Sequence, residues 1–329
     1  MKMEEKIKIY VPQEIESTLT RDADFFEFYK KDRSLNRNDF LNTLISNYFD
    51  SYSHNDNTLS GKLEEIFRDE LRDDSELSSV SARLLNAIKD YQYSSPDARS
   101  DVTISVKPTK KSAGIIDFIQ ANCLSDISLS GYFRNMFSSY CQLPQDRRER
   151  IIFKDKFDVI SRAISENRMV YFTTSKSTER HEASPYAIAR SQEELFNYLI
   201  CIYNGSPFSF RMTRIQNVRI LNKTASFSDE QKQLLEKTRQ VPQFAYTQKE
   251  EICVRLTQRG INMFNKIYSY RPKPIRVLKD LYYFDCTQAQ IYHYFIRFGK
   301  NARIIYPESL RLWFYNDYVN AVKQYTPKT

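Results

Sequence analysis

Two strand-like segments joined by a tight turn constrain the fold more than any other part of this chain. Residues 193–203 and 206–215 are rich in aromatic and β-branched side chains, and Asn204-Gly205 joins them. Asn-Gly accepts the positive φ angles of a type I′ turn, so the stretch predicts a β-hairpin. Because side chains alternate along a strand, Phe210 falls on one face and Arg211 on the other. We therefore expect a rigid strand to present Arg211 outward.

This hairpin and the segments before it resemble the WYL domain family. Upstream, the resemblance rests on a helix at 156–164, a strand at 169–172 and a proline-containing segment at 184–188. In the hairpin, the residues that match the family motifs are Tyr198, Leu199, Phe210, Arg211, Arg214 and Ile215. The sequence departs from the family pattern where Asn197 replaces Trp, Met212 replaces Leu and Thr213 replaces Asp. The order of the elements makes the resemblance more specific than either motif alone.

The resemblance implies a regulatory binding module. WYL domains are small Sm/SH3-like β-barrels proposed to bind nucleic acids or nucleotide-like ligands. The motif positions make Tyr198, Arg211 and Arg214 the candidate ligand contacts, and weaker candidates are Tyr171, His181 and Arg190. The two arginines can fork onto phosphate oxygens, a geometry that lysine does not match. The alternative for Tyr198 is a core tyrosine whose hydroxyl is hydrogen-bonded.

The first part of the chain has the element order of a ribbon-helix-helix unit. Residues 6–12 alternate polar and apolar side chains like a strand, and two helices follow with a polar turn between them. Residues 101–108 repeat this alternation and precede two more helical stretches, which predicts a degenerate repeat. A lone strand is unstable, so we expect the two strands to pair, either within one chain or between two chains.

Two roles are open for this region. In ribbon-helix-helix repressors, outward strand residues enter the DNA major groove, and here these are Lys6, Lys8, Tyr10, Thr103, Ser105 and Lys107. Residues 1–144 hold 18 basic and 23 acidic residues, a net charge of −5. Duplex affinity rests mainly on neutralising phosphates, so this balance favours a structural or dimerising role over operator binding.

The middle of the chain predicts helices over 59–93 and loops at 50–61 and 94–101. Residues 143–150 predict a solvated linker whose arginines are surface charges rather than a site. This linker gives three expected domains: a ribbon-helix-helix-like and helical region at 1–144, the WYL domain at 145–228 and a C-terminal extension at 229–329.

The C-terminal part predicts the split βαβ order of a ferredoxin-like domain with a final helix. Strands are expected at 251–257, 275–278, 281–286 and 302–306, and helices at 260–270, 287–298 and 309–325. Residues 302–311 resemble the extension found after many WYL domains. The expected fold class is therefore α+β and multidomain, with a ribbon-helix-helix-like N-terminal region, an Sm/SH3-like WYL β-barrel and a ferredoxin-like C-terminal domain.

Basic charge is concentrated in the same C-terminal part. Residues 249–329 carry a net charge of +8, and Tyr268 and Tyr270 lie within a basic run that contains no acid. Its candidate nucleic-acid contacts are Arg255, Arg259, Lys266, Arg271, Lys273 and Arg276. Bases for phosphates and aromatic rings for unpaired nucleobases are typical of single-strand binding. The alternative is a solvated surface with inward tyrosines. Residues 281–284 resemble the aromatic strand of RNA-recognition motifs without its glycines, and we interpret them as core.

Other functional classes lack support in the sequence. The chain has no glycine-rich phosphate loop, no His-Glu-x-x-His and no Gly-x-Ser-x-Gly, so we expect no enzymatic activity. Its five cysteines and three histidines are scattered, which indicates neither a metal site nor a disulfide framework and fits a reducing cytoplasm without a cofactor. No apolar run is long enough to span a bilayer.

The combined features resemble the WYL accessory proteins of type VI-D CRISPR systems. That resemblance implies a non-enzymatic, homodimeric regulator that binds single-stranded RNA and acts on an RNA-guided RNase effector. The alternative is a DNA-binding transcriptional regulator that senses a nucleotide through its WYL domain. The identity of the effector and the preferred bases stay open.

Overall fold

A computed structural model describes residues 6–71, 73–93, 101–124, 127–175, 177–246 and 251–325. The chain has an α+β fold and divides into two compact units, Met1–Phe157 and Asp158–Thr329. The first unit contains a two-stranded sheet, and the second contains a five-stranded and a four-stranded sheet. Among the described residues, no helix is long and apolar enough to cross a membrane. The expected three-domain division stays a prediction.

The two-stranded sheet of the first unit joins the two predicted repeats within one chain. Strand β1, Ile7–Pro12, pairs antiparallel with β2, Asp101–Val106, and Ile9 lies opposite Ile104. Both of these isoleucines are buried, because the apolar positions of the two strands share one face. The sequence left open whether the strands pair within or between chains, and the structure pairs them within the chain.

Helices build the rest of the first unit. Asn36 caps α2 by accepting a hydrogen bond from the backbone N–H of Asp39, and Ser128 caps α5 in the same way through Gly131. The helices are α1, Gln13–Phe25; α2, Arg37–Phe67; α3, Asp74–Tyr93; α4, Lys110–Asn122; α5, Leu129–Gln142; and α6, Gln145–Ile152. The next helix, α7, Lys154–Ser165, begins in the first unit and ends in the second.

The predicted loop at 50–61 is wrong, because α2 runs through it without a break. Most polar residues of this stretch are exposed, while Tyr48 and Tyr52 are buried and continue the apolar stripe of the helix. Tyr52 packs edge-on against Tyr132 of α5, with ring centroids 5.6 Å apart. The second predicted loop falls largely on residues 94–100, which lie outside the described residues.

The predicted solvated linker at 143–150 is also wrong. Residues from Gln145 onward form α6, in which Arg148 and Glu149 are buried. Arg148 binds the carboxylate of Asp22 through Nε at 2.6 Å and Nη2 at 3.1 Å, and Tyr140 donates its hydroxyl to the same carboxylate at 2.9 Å. A charge that meets a buried partner of opposite sign is tolerated in the interior, so this arginine belongs to the core of the first unit.

The five-stranded sheet of the second unit contains the predicted hairpin. Tyr203 and Ser206 pair across Asn204 and Gly205, whose φ angles of 50° and 79° are the positive values that a type I′ turn requires. Its strands are β3, Arg168–Thr174; β4, Ser177–Arg190; β5, Asn197–Tyr203; β6, Ser206–Arg211; and β7, Ile215–Thr224, in the spatial order β6-β5-β4-β3-β7. The hairpin prediction is confirmed.

This sheet is not closed into a barrel among the described strands, which corrects the expectation of a closed Sm/SH3-like barrel. Strand β6 ends at Arg211, and a 3-10 turn at Met212–Arg214 redirects the chain. Strand β7 then pairs with β3 at the opposite edge of the sheet instead of with β6. The same turn breaks the strand alternation, so Met212 and Thr213 are both buried.

The four-stranded sheet is packed on one face by helices. Ser228 caps α8 with a reciprocal capping box, and Thr257 and Thr287 cap α9 and α10. Helix α8, Asp229–Gln240, packs on β4, β5 and β6 of the five-stranded sheet. The elements of the four-stranded sheet and its helices are β8, Glu251–Leu256; α9, Gln258–Lys266; β9, Pro274–Leu278; β10, Leu281–Asp285; α10, Gln288–Phe295; β11, Ala302–Tyr306; and α11, Glu308–Tyr325. The sheet order is β11-β8-β10-β9, with all neighbours antiparallel.

Candidate nucleic-acid site

A cavity of about 560 Å³ lies in the second unit and gathers the main predicted ligand contacts. Its lining includes Tyr198, Arg211 and Arg214, which the sequence analysis selected. The remaining lining residues are Glu194, Phe196, Ser209, Gln243 and Tyr270. The structure therefore brings the three leading candidates into one concave site and adds five residues to them.

Strand register explains why three of these residues meet. Tyr198 of β5 lies opposite Arg211 of β6, and Ser209 precedes Arg211 by two positions on the same face. The turn after β6 then places Arg214 against the same cavity. We expected the strand to present Arg211 outward, and the face on which it lies is the face that lines the cavity.

A tight turn before β5 supplies the acidic and aromatic parts of the lining. Ser191 donates its backbone N–H to the carbonyl of Phe196 at 2.9 Å, and its hydroxyl accepts the N–H of Glu194 at 3.1 Å. Leu195, inside this turn, has a φ of 57°, a left-handed conformation that is costly for an L-residue with a side chain. The turn thus holds Glu194 and Phe196 on either side of a strained residue.

Arginine and aromatic chemistry are combined in this cavity. The guanidinium carbon of Arg211 lies 3.1 Å from the centroid of the Phe196 ring, in a cation–π contact. The Nε atom of Arg214 and the Oε1 atom of Gln243 are buried, and neither has a hydrogen-bond partner among the described residues. Buried polar groups normally have a partner, so these two atoms are exceptions within the lining of the site.

Tyr198 is both a packed and a polar member of the site. Its side chain is buried, and its hydroxyl donates a hydrogen bond to the carboxylate of Glu194. Burial raises the pKa of Tyr198, and the hydrogen bond to Glu194 raises it further, so the tyrosine stays neutral near physiological pH. Tyr198 is therefore both a buried tyrosine with a hydrogen-bonded hydroxyl and a residue of the cavity lining.

Tyr270 joins the cavity from the basic C-terminal segment. Its backbone N–H donates to Glu193 Oε1 at 3.1 Å, and burial raises the pKa of its hydroxyl. Tyr268, two residues earlier, is exposed, and the guanidinium of Arg271 stacks 4.3 Å from its ring centroid. One aromatic and basic pair of the predicted run, Tyr268 and Arg271, therefore flanks a cavity residue in the sequence.

The three weaker WYL candidates do not line this cavity. Tyr171 lies on β3 opposite Glu182 and Arg219, and Arg190 is exposed at the end of β4. His181 is buried among aromatic rings, with Phe172, Tyr203 and Phe210 at centroid distances of 5.4, 5.2 and 5.3 Å. The structure thus places His181 in the packed side of the sheet.

The basic candidates of the C-terminal part are exposed side chains outside the cavity lining. Arg255 forms an ion pair with Asp280 at 3.2 Å, and Arg276 forms one with Glu251 at 3.5 Å. Arg271 donates to the carbonyl of Phe264 at 3.3 Å in addition to its stacking on Tyr268. The other three, which are also exposed, are Arg259, Lys266 and Lys273.

Sequence reasoning missed Glu194, Phe196, Ser209 and Gln243. Ser209 could have been found, because it shares the strand face of Arg211. Gln243 carries no local signal, since it lies after α8 and reaches the cavity only through the tertiary fold.

Among the described residues there is no group of three or more side chains suited to hold a metal ion.

The fold as a whole is similar to a solved structure described as the crystal structure of a CRISPR Cas-related protein. The two chains share 20% identity over 98% of this chain and 94% of the other, with a TM-score of 0.74. A weaker similarity links the chain to proteasome accessory factor B/C (PafBC) of Arthrobacter aurescens, with 16% identity, 68% of this chain and 37% of the other covered, and a TM-score of 0.28. The first similarity establishes a shared fold. The second, with its low TM-score, does not establish one. The sequence matches no protein-family model and no curated protein.

Proposed function

We propose that this protein is a non-enzymatic regulator that binds single-stranded RNA. The main observation behind this proposal is the cavity, whose lining combines Arg211 and Arg214 with Phe196, Tyr198 and Tyr270. The arginines supply charge-assisted hydrogen bonds for phosphate oxygens, and the rings supply surfaces for an unpaired base. A concave site of this size suits a nucleotide that is splayed out from a single strand better than it suits the outer surface of a duplex.

The balance of charge supports the same assignment. The basic residues are concentrated in the part of the chain that contains the cavity, whereas residues 1–144 have a net charge of −5. Polyanions are drawn to the basic part because phosphate neutralisation dominates the affinity. Tyr268 precedes the cavity residue Tyr270 by two positions, and Arg271 follows it directly. The exposed stack of Tyr268 and Arg271 is therefore a surface for a second nucleotide of the same RNA strand.

The proposed context is a CRISPR accessory role. It is supported by the shared fold with a CRISPR Cas-related protein and by the motif resemblance to the WYL accessory proteins of type VI-D systems. In this proposal the five-stranded sheet is an open variant of the WYL fold, and the first unit is ribbon-helix-helix-like. The four-stranded sheet corresponds to a ferredoxin-like extension. The protein acts as a cytoplasmic homodimer that delivers or retains RNA for an RNA-guided RNase effector, without a cofactor.

One observation favours a second candidate function, a DNA-binding regulator. The antiparallel ribbon of β1 and β2 exposes Lys6, Lys8, Tyr10, Thr103, Ser105 and Lys107 on one face, as in β-ribbon proteins that read the major groove. The acidic balance of the surrounding unit opposes this role, so we rank it second.

The test is a set of fluorescence-anisotropy titrations with single-stranded RNA, single-stranded DNA and duplex DNA at several salt concentrations. We expect RNA to bind most tightly and its affinity to fall with salt. The double variant Arg211→Ala/Arg214→Ala should lose at least tenfold in affinity, roughly the strength of one charge-assisted hydrogen bond. Arg219→Ala is the matched control, because Arg219 is an exposed arginine of β7 outside the cavity lining.

Two outcomes would contradict the proposal. Preference for duplex DNA that Lys6→Ala/Lys8→Ala abolishes would support the second candidate instead. Unchanged RNA affinity in the double arginine variant would remove the cavity from RNA binding.

A further inference from the structure

The four-stranded sheet of the second unit has two chemically different faces. One face carries Ile252, Val254 and Phe284 into a core with the helices. Alternate positions point the other way, and most of them are charged or aromatic. We call this the open sheet face; it consists of Glu251, Cys253 and Arg255 on β8, Arg276 and Leu278 on β9, Leu281, Tyr283 and Asp285 on β10, and Arg303 and Tyr306 on β11.

Two tyrosines lie side by side on this face. The ring centroids of Tyr283 and Tyr306 are 6.4 Å apart, and the guanidinium of Arg276 lies 4.0 Å from the centroid of Tyr283. Glu251 fixes the group, because it accepts the Tyr306 hydroxyl at 2.7 Å and pairs with Arg276 at 3.5 Å. Cys253, the small residue opposite Tyr283, is buried beneath them. Tyrosine rings and arginine planes are the surfaces on which unpaired bases stack.

Next to the tyrosines, two arginines face each other across neighbouring strands. Arg255 of β8 lies directly opposite Arg303 of β11. Like charges at opposite positions destabilise a sheet, and only Arg255 has an ion pair, with Asp280, among the described residues. An anion between the two side chains would remove this repulsion. Arg255 is two residues from Cys253 along β8, a distance of about 7 Å that one nucleotide can bridge.

We propose that the open sheet face is a second single-stranded RNA site, separate from the cavity. A base stacks on the tyrosine and arginine planes of Tyr283, Arg276 and Tyr306, and a phosphate binds between Arg255 and Arg303. The inference rests on the proposed function, since it assigns part of the RNA affinity to a further surface. Positive charge at the two arginines and flat rings beside them match the alternation of phosphate and base along a single strand.

The experiment compares variants of the full-length protein by titration of a fluorescein-labelled oligouridylate. Arg303→Glu reverses an exposed charge opposite Arg255, and Tyr283→Ala removes the stacking ring, while Tyr283→Phe keeps it. We expect the first two to weaken binding at least roughly fivefold, the lower end of the contribution of one stacked base, and Tyr283→Phe to bind like the wild type. Arg219→Glu and Tyr315→Ala are matched controls at exposed positions outside this face, and they should bind normally.

Photo-crosslinking with 4-thiouridine RNA locates the strand independently of affinity. We expect crosslinks to peptides that contain Tyr283 or Tyr306, and these should persist in Arg211→Ala/Arg214→Ala. Wild-type RNA binding that is unchanged in Arg303→Glu, with crosslinks confined to the cavity residues, overturns this inference and leaves the proposed function in place. Absence of RNA binding by the wild type overturns both. Because Arg303 is exposed, its variant remains informative if Tyr283→Ala does not fold.

Discussion

The guanidinium carbon of Arg211 and the ring of Phe196 are stacked, with 3.1 Å between that carbon and the ring centroid. Phe196 immediately precedes β5, and Arg211 is the last residue of β6. Phe196 is buried, whereas Arg211 is half-buried. The ring therefore fixes the orientation of a charged group that would otherwise sample many rotamers. An arginine held in this way loses less entropy when it binds a phosphate, which is the physical advantage of a preorganised site.

Arg211→Lys should weaken RNA binding although it keeps the charge. Lysine lacks the planar fork that both stacks on Phe196 and meets two phosphate oxygens, so a loss of about 1 kcal/mol, or roughly fivefold in affinity, is expected. Anisotropy titration at fixed salt measures it, with Arg219→Lys as the control. Equal affinity of Arg211→Lys and the wild type would mean that Arg211 acts only as a diffuse charge.

The ionisation of Tyr198 should make stability fall at alkaline pH. Burial and then the Glu194 hydrogen bond raise its folded pKa above the ordinary value of 10.0. The unfolded tyrosine ionises first, so the stabilisation is complete below about pH 10 and decreases as the pH rises above it. Urea unfolding across this range should show a smaller decline for Tyr198→Phe than for the wild type. Identical pH dependence in the two proteins would contradict the raised pKa.

The hairpin could be predicted from sequence because its determinants are local. Asn204 and Gly205 accept the positive φ angles of the turn, and the turn then fixes Tyr198 opposite Arg211 by counting along both strands. Everything that follows from alternation, including the shared face of Ser209, is available in the same way. Closure of the sheet was not predictable, because it depends on where the turn at Met212–Arg214 sends β7.

The failures have nonlocal causes. Arg148 looks like any arginine in a polar segment, and its partner Asp22 lies 126 positions earlier. The stretch after Tyr48 is rich in residues with low helix propensity, and it is helical because Tyr52 packs against Tyr132. In the site, Gln243 is brought to the cavity only by tertiary structure. A single sequence contains no short-range pattern for such contacts.

Arg148→Ala should destabilise the protein strongly. It would leave the fully buried Asp22 carboxylate without its two arginine hydrogen bonds, a change that typically costs about 3–5 kcal/mol. Arg147→Ala, at an exposed position of the same helix, should change the free energy of unfolding by less than about 0.5 kcal/mol. Urea titration followed by circular dichroism compares the two. Equal stability of both variants would show that residues 143–150 behave as the solvated linker that the sequence suggested.

Gly260→Ala should destabilise the four-stranded sheet and its helices for a steric reason. A Cβ atom at Gly260 would lie 2.2 Å from the backbone oxygen of Asn301, far inside van der Waals contact, and neither backbone can shift freely. The expected cost is about 1–3 kcal/mol, as for overpacking elsewhere. Gly114→Ala is the matched control, because Gly114 lies inside α4 with nothing within 4 Å of its added methyl group, and it should stabilise the protein by about 0.5–1 kcal/mol. Thermal unfolding of both variants should thus shift the midpoint in opposite directions; a Gly260→Ala midpoint at or above that of the wild type would be incompatible with this close approach of α9 to the segment before β11.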